Sequence, residues 1–496
     1  MDQVNVATAA PERPVIATRH PLQRGGAWAV AVLAGRARPD EVTVTDLDTV
    51  AAGIVEDVVA AATAAKDTAA YDWWKVLFAL YPNSKATHSK RPKESTVLRP
   101  DIALLFRPDR EPETETVQTA RTAATLRPCT FCGTGTTVVW TKSTLPLYDT
   151  DRALNTLPPG VPGWPVCRGC RVAMWALPYG AWLTAGSATV LTCENEDAER
   201  DFVAQNVLRA RRVTHLGFER MPAGTRSELV AVRALRAVRD GNFAASTLWS
   251  FKNDNQEPWL RVTRTRRAVP AFLARVDGNA VLRRGWRLLE IGLTRVDRTG
   301  QLVARGPDEA ARLLFEAEDG RSRSFLGQVH ELLSGSDRRW RAEDRAALTR
   351  LAFTYAEEIL GMTPDLKPVA TLIADWIEHG SGSPRGRFAE YRNAALNDYQ
   401  LGVLLTQAQY RLMLDGRPVP SGPEDWSPLI QQRPRAWELR ILLSATVVQL
   451  LLERGVKIND SPVGSEEREP TEAELKRPIH QRAEEAGDEA DEMGSA

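Results

Sequence analysis

Four cysteines in two short pairs form the strongest chemical pattern in the sequence. Cys129 and Cys132 are followed directly by Gly133, and 34 residues separate Cys132 from the second pair, Cys167 and Cys170. A Cys-x-x-Cys turn brings two sulfurs close enough to bind one metal ion, and two such turns supply all four ligands of tetrahedral Zn²⁺. The pattern therefore predicts one structural zinc ion on these four cysteines. An iron–sulfur cluster, a redox-active pair and two unmetallated pairs are alternatives that the spacing leaves open.

Motifs for catalysis are missing from the sequence. It contains no GxxxxGK[ST] phosphate loop, no HExxH helix and no GxSxG nucleophile turn. Its six histidines are scattered and are never paired at the spacing of metal ligands. We therefore predict a binding or scaffold protein rather than an enzyme.

Charge is distributed unevenly, although the net charge of the chain is zero. Residues 461–496 hold 11 acidic and 4 basic side chains, whereas residues 205–287 hold 17 lysines and arginines against 6 acids. Clustered arginines neutralise phosphates well because a guanidinium forms paired hydrogen bonds with phosphate oxygens. A basic segment is also typical of an ordinary solvated surface. The charge alone therefore leaves both interpretations open.

The sequence predicts a cytoplasmic protein without membrane contact. The first 18 residues lack the basic and then apolar order of a secretory signal. The most apolar stretch, residues 441–452, is too short to cross a bilayer. Cysteines in metal-binding pairs indicate reduced thiols rather than disulfides. The fifth cysteine, Cys193, is expected to be buried, since four ligands already complete the metal site.

Hydrophobic periodicity predicts an α+β protein. Residues 47–58 and 71–81 carry apolar side chains at helical spacing, and residues 248–251 and 259–262 have the composition of short strands. After residue 308 the apolar stripes are helical almost throughout, which predicts an α-helical bundle.

These signals divide the chain into parts. A mixed α/β N-terminal domain is expected, interrupted by a zinc-binding insert that holds the four cysteines and followed by the bundle. The expected bounds are a disordered arm at 1–18, the N-terminal domain at 19–128 and 194–307, the insert at 129–193, the bundle at 308–460 and a disordered acidic tail at 461–496.

Several stretches resemble the large subunit of a type I-B CRISPR Cascade complex. Residues 20–35 (HPLQRGGAWAVAVLAG) and 39–48 (PDEVTVTDLD) are similar to that family's opening helix, short loop and second helix. Residues 80–84 (LYPNS), the two cysteine pairs and residues 248–253 (LWSFKN) follow in the family's order. The family opening usually carries Asn-Pro where this chain has His20 and Pro21.

The resemblance implies a non-catalytic subunit of an RNA-guided antiviral complex. Such a subunit contacts the 5′ handle of the guide CRISPR RNA and the short motif that flanks the target double-stranded DNA. It helps to open the duplex into an R-loop, whereas base pairing with the guide reads the sequence. The implied partners are the backbone, guide-processing and small helical Cascade subunits, together with a recruited helicase–nuclease that cuts the DNA.

Two basic segments are the candidate nucleic-acid contacts. One is the polar loop after the predicted helix at 71–81, and the other is a predicted strand with alternating arginines at positions 261, 264, 266 and 267. Lysine and arginine suit phosphates, and asparagine suits base edges. A mobile exposed loop and a solvated strand are the alternatives. The candidate residues are Asn83, Lys85, Lys90, Arg91, Lys93, Arg264, Arg266 and Arg267.

Two other classes of protein fit parts of the sequence. A free-standing zinc-ribbon DNA-binding protein would bind duplex DNA alone, without a guide RNA. An enzyme with an active site outside the common motifs would instead bring acids and histidines together in one pocket.

Overall fold

The computed structural model describes residues 14–109, 126–140, 163–184, 186–218, 226–237, 243–252, 258–315, 324–334 and 341–457. These residues fall into two compact units. Within the described ranges, the first unit contains residues 14–237 and 246–264, and the second contains 243–245 and 265–457. The predicted acidic tail at 461–496 and the first 13 residues of the predicted arm lie outside the described residues.

The first unit combines helices with short antiparallel strands, which confirms the predicted α+β class. Its described helices are α1 (Pro21–Leu33), α2 (Val44–Thr63), α3 (Ala69–Leu80), α4 (Ser95–Ala103), α5 (Arg168–Gly180), α6 (Glu196–Leu216) and α7 (Ser227–Ala237). Its described strands are β1 (Arg127–Pro128), β2 (Gly135–Thr136), β3 (Val139–Trp140), β4 (Trp164–Pro165), β5 (Trp182–Leu183), β6 (Ala188–Cys193), β7 (Ser246–Lys252) and β8 (Trp259–Arg264).

Side chains at the N-termini of α1 and α2 explain where these helices begin. The Nδ1 atom of His20 accepts a hydrogen bond from the backbone N–H of Gln23 at 3.4 Å, and Pro21 occupies the first helical position. Proline suits that position because its φ is already helical and its missing N–H would have had no partner. Thr43 and Asp46 form a capping box at the start of α2.

Helices α1 and α5 cross at backbone contact in the core of the first unit. A β-carbon at Gly26 would collide with the backbone carbonyl of Ala173, and one at Gly180 would come within 2.9 Å of the Ala29 side chain. All residues of α5 from Gly169 to Gly180 are buried. The prediction of a separate insert at 129–193 is therefore wrong for this helix, because α5 packs into the core of the unit rather than standing apart from it.

A four-stranded antiparallel sheet with the order β5–β6–β7–β8 completes the first unit. Strand β6 pairs with β7 along its whole length, from Ala188 opposite Phe251 to Cys193 opposite Ser246. The strands predicted at 248–251 and 259–262 are confirmed and extend to 246–252 and 259–264. Strand β8 lies at the edge of the sheet.

The second unit contains the predicted helical bundle. Its described helices are α8 (Val269–Gly278), α9 (Ala280–Leu293), α10 (Gly306–Arg312), α11 (Phe325–Ser334), α12 (Ala342–Leu360), α13 (Lys367–His379), α14 (Pro384–Ala394), α15 (Asp398–Leu414), α16 (Pro423–Ile430) and α17 (Ala436–Glu453), with a two-stranded sheet of β9 (Arg295–Val296) and β10 (Leu302–Ala304). Among the described helices, none has both the length and the apolar content needed to cross a bilayer.

The bundle begins earlier than the sequence suggested. The ring of Phe272 in α8 packs edge-on against Phe325 of α11 and Tyr355 of α12, at centroid distances of 5.9 and 5.6 Å. Trp286 of α9 stacks on Phe325 at 6.3 Å. Helices α8 and α9 thus share their core with the bundle, and the two units divide between Arg264 and 265 rather than at the predicted 307/308 boundary.

Candidate metal centre and basic segments

The four predicted cysteine ligands lie in one cluster. Their Sγ atoms are all within 4.8 Å of one another, and those of Cys132 and Cys167 are 3.4 Å apart. In a tetrahedron with Zn–S bonds of about 2.3 Å the sulfurs stand about 3.8 Å apart, so the cluster has the size that one ion requires. Cys129, Cys167 and Cys170 are buried, and Cys132 is half-buried. These four cysteines can therefore hold a metal ion.

The first knuckle depends on the glycine that follows it. Gly133 has a φ of +79°, and its backbone N–H donates to the Cys129 carbonyl at 2.9 Å. An added β-carbon would meet nothing within 4 Å, so the left-handed backbone, and not space, favours glycine here. The N–H of Cys129 in turn donates to the Thr134 carbonyl at 2.8 Å, which closes the turn around the two sulfurs.

The second knuckle is the start of a helix. Cys167 is the N-terminal cap of α5, and Cys170 lies in its first turn. The N-terminus of a helix favours negative charge, and therefore favours thiolates over thiols. The backbone N–H of Thr130 donates to the Pro165 carbonyl at 2.9 Å and joins the two knuckles directly.

Gln23 connects the cluster to helix α1 and to the chain before it. Its Nε2 donates to the Ile16 carbonyl at 2.7 Å and lies 3.6 Å from the Sγ of Cys170. Its Oε1 accepts from the backbone N–H of Thr18 at 2.8 Å. The side chain is fully buried, and an N–H directed at sulfur stabilises the thiolate form.

Residues 14–18 pack over the second knuckle. Val15 is fully buried, and a β-carbon at Gly169 would collide with the Pro14 carbonyl. The prediction of a disordered arm is therefore wrong for these five residues. Residues 14–18 (PVIAT) are too few to show a periodicity, and the residues that hold them, Gln23 and Gly169, lie further along the chain.

Arg171 and Asp109 tie both knuckles to the segment after α4. The guanidinium of Arg171 is fully buried and donates to the Leu105 carbonyl and to Asp109 Oδ1, both at 2.7 Å. Asp109 also accepts from the backbone N–H of Arg168 at 2.9 Å and from the Thr136 hydroxyl at 3.0 Å. A buried arginine is tolerated here because a carboxylate and carbonyl groups surround it.

The crowded sulfurs favour at least one thiolate even without a metal. Hydrogen bonds from Cys132, Cys167 and Cys170 hold the pKa of the Cys129 thiol far below its usual range. The same contacts raise the pKa values of the Cys167 and Cys170 thiols, and metal ligands must be deprotonated, so a bound cation would have to displace the protons of these two.

Cys193 lies outside the cluster, as predicted. It is buried on β6, and its Sγ accepts a hydrogen bond from the backbone N–H of Asn195 at 3.4 Å. Burial raises the pKa of this thiol to about 11, which makes it a poor ligand and a poor nucleophile.

The loop after α3 is more structured than expected. Arg91 is buried, its Nε donates to the Ala62 carbonyl at 2.7 Å, and its guanidinium lies 4.4 Å from the ring centroid of Trp74. The prediction that Arg91 contacts phosphate is therefore wrong, since these contacts hold the side chain inside the first unit. Lys85 pairs with Asp101 at 2.9 Å.

The other candidates of this loop remain at the surface. Lys90 and Lys93 are exposed, and their ammonium groups have no ion pair in the part of the chain that the structure describes. Asn83 is half-buried. Partial desolvation by the residues around it, together with the nearby charges of Arg91 and Lys66, lowers the pKa of the Lys93 ammonium.

The three candidate arginines do not share a strand. Arg264 is the last residue of β8 and is exposed. Arg266 and Arg267 are also exposed but belong to the second unit, where Arg266 Nη1 donates to the Ile359 carbonyl at 3.4 Å. The strand ends at Arg264, so the predicted alternation does not continue through Arg266.

Comparison with known proteins gives no relative: no family model, no curated protein and no solved structure matches the chain. Sequence reasoning missed Gln23, Asp109 and Arg171, whose partners lie far away along the chain.

Proposed function

We propose that the chain is a zinc-stabilised, non-catalytic nucleic-acid-binding subunit. The observation that carries this proposal is the all-sulfur cluster built into the core of the first unit. Four protein sulfurs would leave Zn²⁺ no open position for water or substrate, so the ion would cross-link the knuckles and perform no chemistry. Iron is the other ion that four thiolates select, and metal analysis separates the two.

The assembly that we propose is an RNA-guided DNA-binding complex similar to type I-B CRISPR Cascade, with this chain as its large subunit. The support is the order of the resembling segments. The opening segment forms α1, which packs at backbone contact on α5 and reaches Cys170 through Gln23. The opening segment and the cysteine pairs, which both carry the resemblance, therefore belong to one core. Their joint presence points to this family more specifically than each segment does alone.

In this proposal the first unit contacts the guide 5′ handle and the motif that flanks the target. Lys90, Lys93 and Arg264 are exposed cations without ion pairs among the described residues, and such side chains suit phosphates. Pairing between guide and target would read the sequence, while the protein positions the duplex and helps to open it. A recruited helicase–nuclease would then cut the DNA.

The test is purification of the tagged full chain from its native host, followed by sequencing of any RNA that comes with it. We expect repeat–spacer RNA of uniform length and several partner proteins. A strain that expresses the tag alone is the control. Absence of RNA and partners, together with binding of duplex DNA by the purified chain, would contradict the Cascade assignment and favour a free-standing zinc-ribbon binder.

A further inference from the structure

The β7–β8 hairpin, whose last residue Arg264 is one of the proposed contacts, also carries an exposed aromatic and basic surface on the other face of β8. Strand β8 is the edge of the four-stranded sheet, and five of its six residues are exposed while the sixth is half-buried. A strand of an antiparallel sheet normally buries alternate residues on one face. Strand β8 departs from this alternation because both of its faces are exposed. An exposed tryptophan on such a strand suggests that a ligand covers it.

The register of the hairpin shows which side chains share a face. Trp259 lies opposite Lys252, and Arg261 lies opposite Ser250. Because side chains alternate along a strand and directly opposite residues point to the same side, these four side chains occupy one face. Opposite residues are about 5 Å apart, and alternate residues of one strand are about 7 Å apart. The Trp259 indole therefore has Lys252 beside it on the neighbouring strand and Arg261 beside it on its own strand. We call this set the hairpin face.

Two groups of the hairpin face, the Trp259 indole and the Arg261 guanidinium, have no partner among the residues that the structure describes. The side chain of Trp259 is 43% exposed, and that of Arg261 is also exposed. Neither forms a hydrogen bond, ion pair or ring contact in the described ranges. Trp28 and Arg24 of the same unit differ in this respect: the indole of Trp28 donates to Glu199 at 2.8 Å, and Arg24 pairs with the same carboxylate at 2.7 Å. The indole and guanidinium of the hairpin face are thus available to a ligand.

We infer that the hairpin face binds single-stranded nucleic acid, with a base stacked on Trp259 and a phosphate contacted by Arg261. An exposed aromatic ring flanked by cations offers the two interactions that unpaired strands need, which are stacking and neutralisation of phosphate. A base within a duplex has both of its faces covered and cannot stack on such a side chain. Every base has a flat face, so binding tolerates any sequence.

This inference rests on the proposed function and makes it more specific. A complex that opens a duplex produces unpaired strands, and the hairpin face would hold one of them. An apolar surface of a partner protein is the competing occupant, and it would pack on the opposite face, where Leu260 and Val262 are 60% and 37% exposed.

The experiment uses fluorescence anisotropy to measure binding of the zinc-loaded full chain to two labelled DNA ligands. One is a 20-nucleotide oligo-dT strand, and the other is a stem-loop DNA whose stem is a duplex. We expect Trp259→Ala to weaken binding of the single strand about five- to a hundredfold, with little effect on the duplex. Trp259→Phe keeps a ring and should retain most of the affinity. Arg261→Ala should also weaken binding and reduce the slope of log affinity against log salt by about 0.7.

Two substitutions serve as matched controls. Leu260→Ala removes an apolar side chain from the neighbouring position on the opposite face, and Arg298→Ala removes an exposed arginine from the second unit. Both should bind the strand within about twofold of the wild type. Circular dichroism of each variant confirms that the fold is retained.

The outcomes separate this inference from the proposed function. If the wild type binds nucleic acid but Trp259→Ala binds the single strand equally well, the hairpin face is not the site and the proposed function stands. Equal losses for Leu260→Ala and Trp259→Ala would also contradict the inference, because both faces would then be involved. If the wild-type chain and the complex purified from the host bind no nucleic acid, both proposals fail.

Discussion

The side-chain amide of Gln23 lies 3.6 Å from the sulfur of Cys170, although 147 residues separate them in the chain. The same amide nitrogen donates to the Ile16 carbonyl, and the amide oxygen accepts from Thr18. One buried side chain therefore links the N-terminal segment, helix α1 and the second knuckle. The metal centre is part of the core of the first unit and not an appendage.

Substitution of Gln23 by leucine should weaken zinc binding about 10- to 100-fold, as is typical when a group that orients a ligand is lost. The leucine removes the N–H directed at Cys170 and leaves the backbone groups of Ile16 and Thr18 without their buried partner. Competition with a chromogenic chelator measures the affinity. Gln205→Leu is the control, since the side chain of Gln205 bonds, among the described residues, to Asp201 of the same helix α6. Equal zinc affinity in the two variants would contradict this role.

Gly26→Ala should destabilise the protein by about 1–3 kcal/mol or more, because the added methyl group overpacks the crossing of α1 and α5. Gly53→Ala is the matched control. Gly53 is exposed within α2, with nothing within 4 Å of an added β-carbon, so alanine should stabilise it by about 0.4–1 kcal/mol. Urea denaturation measures both changes. A gain in stability for both variants would show that the helices do not touch at Gly26.

Arg91→Ala should lower stability by about 1–3 kcal/mol, since it removes a buried hydrogen bond to Ala62 and the contact with Trp74. The double variant Lys90→Ala/Lys93→Ala should instead keep the stability and reduce the slope of log DNA affinity against log salt by up to about 1.8. Thermal melting and salt titrations separate the two effects. If Arg91→Ala kept its stability and reduced the salt slope, while the lysine variant kept its salt slope, Arg91 would be a phosphate contact after all.

Stability should fall as the pH drops from about 6.5 to 4, through His330 of α11. Burial lowers the pKa of His330 to about 4, whereas an unfolded histidine has a pKa of about 6.5. Between these values the unfolded chain binds more protons than the folded one, so acid favours unfolding by up to about 3 kcal/mol. His330→Phe should flatten this part of the pH profile, measured by urea denaturation. The same change at exposed His88 should leave the profile as it is, and a wild-type slope in His330→Phe would refute the assignment.

Local signals in the sequence predicted much of the fold. The Cys-x-x-Cys pairs identified the cluster, because the geometry of such a turn is fixed by neighbouring residues. The strands around residues 248–251 and 259–262 and the helical bundle followed from periodicity, which reports which side chains face a core.

The errors have a common physical cause, which is that the decisive partner lies far away in the chain. Arg91 has the sequence context of an exposed basic loop, but Trp74 and the end of α2 cover it. The residues around Gly25 and Gly26 give no reason for glycine at these positions, since the reason for Gly26 is its contact with the backbone of Ala173. Helix α5 shows no apolar stripe, because it is buried all round and its two glycines and one proline are typical of a loop.

The measurement that tests the account most directly is the metal content of the full chain by native mass spectrometry and elemental analysis. We predict one zinc per chain in the wild type, loss of that zinc with a large drop in stability in Cys170→Ser, and retention of it in Cys193→Ser. A chain without metal, a chain that binds iron, or a Cys170→Ser variant that keeps its zinc would contradict the proposed structural zinc site.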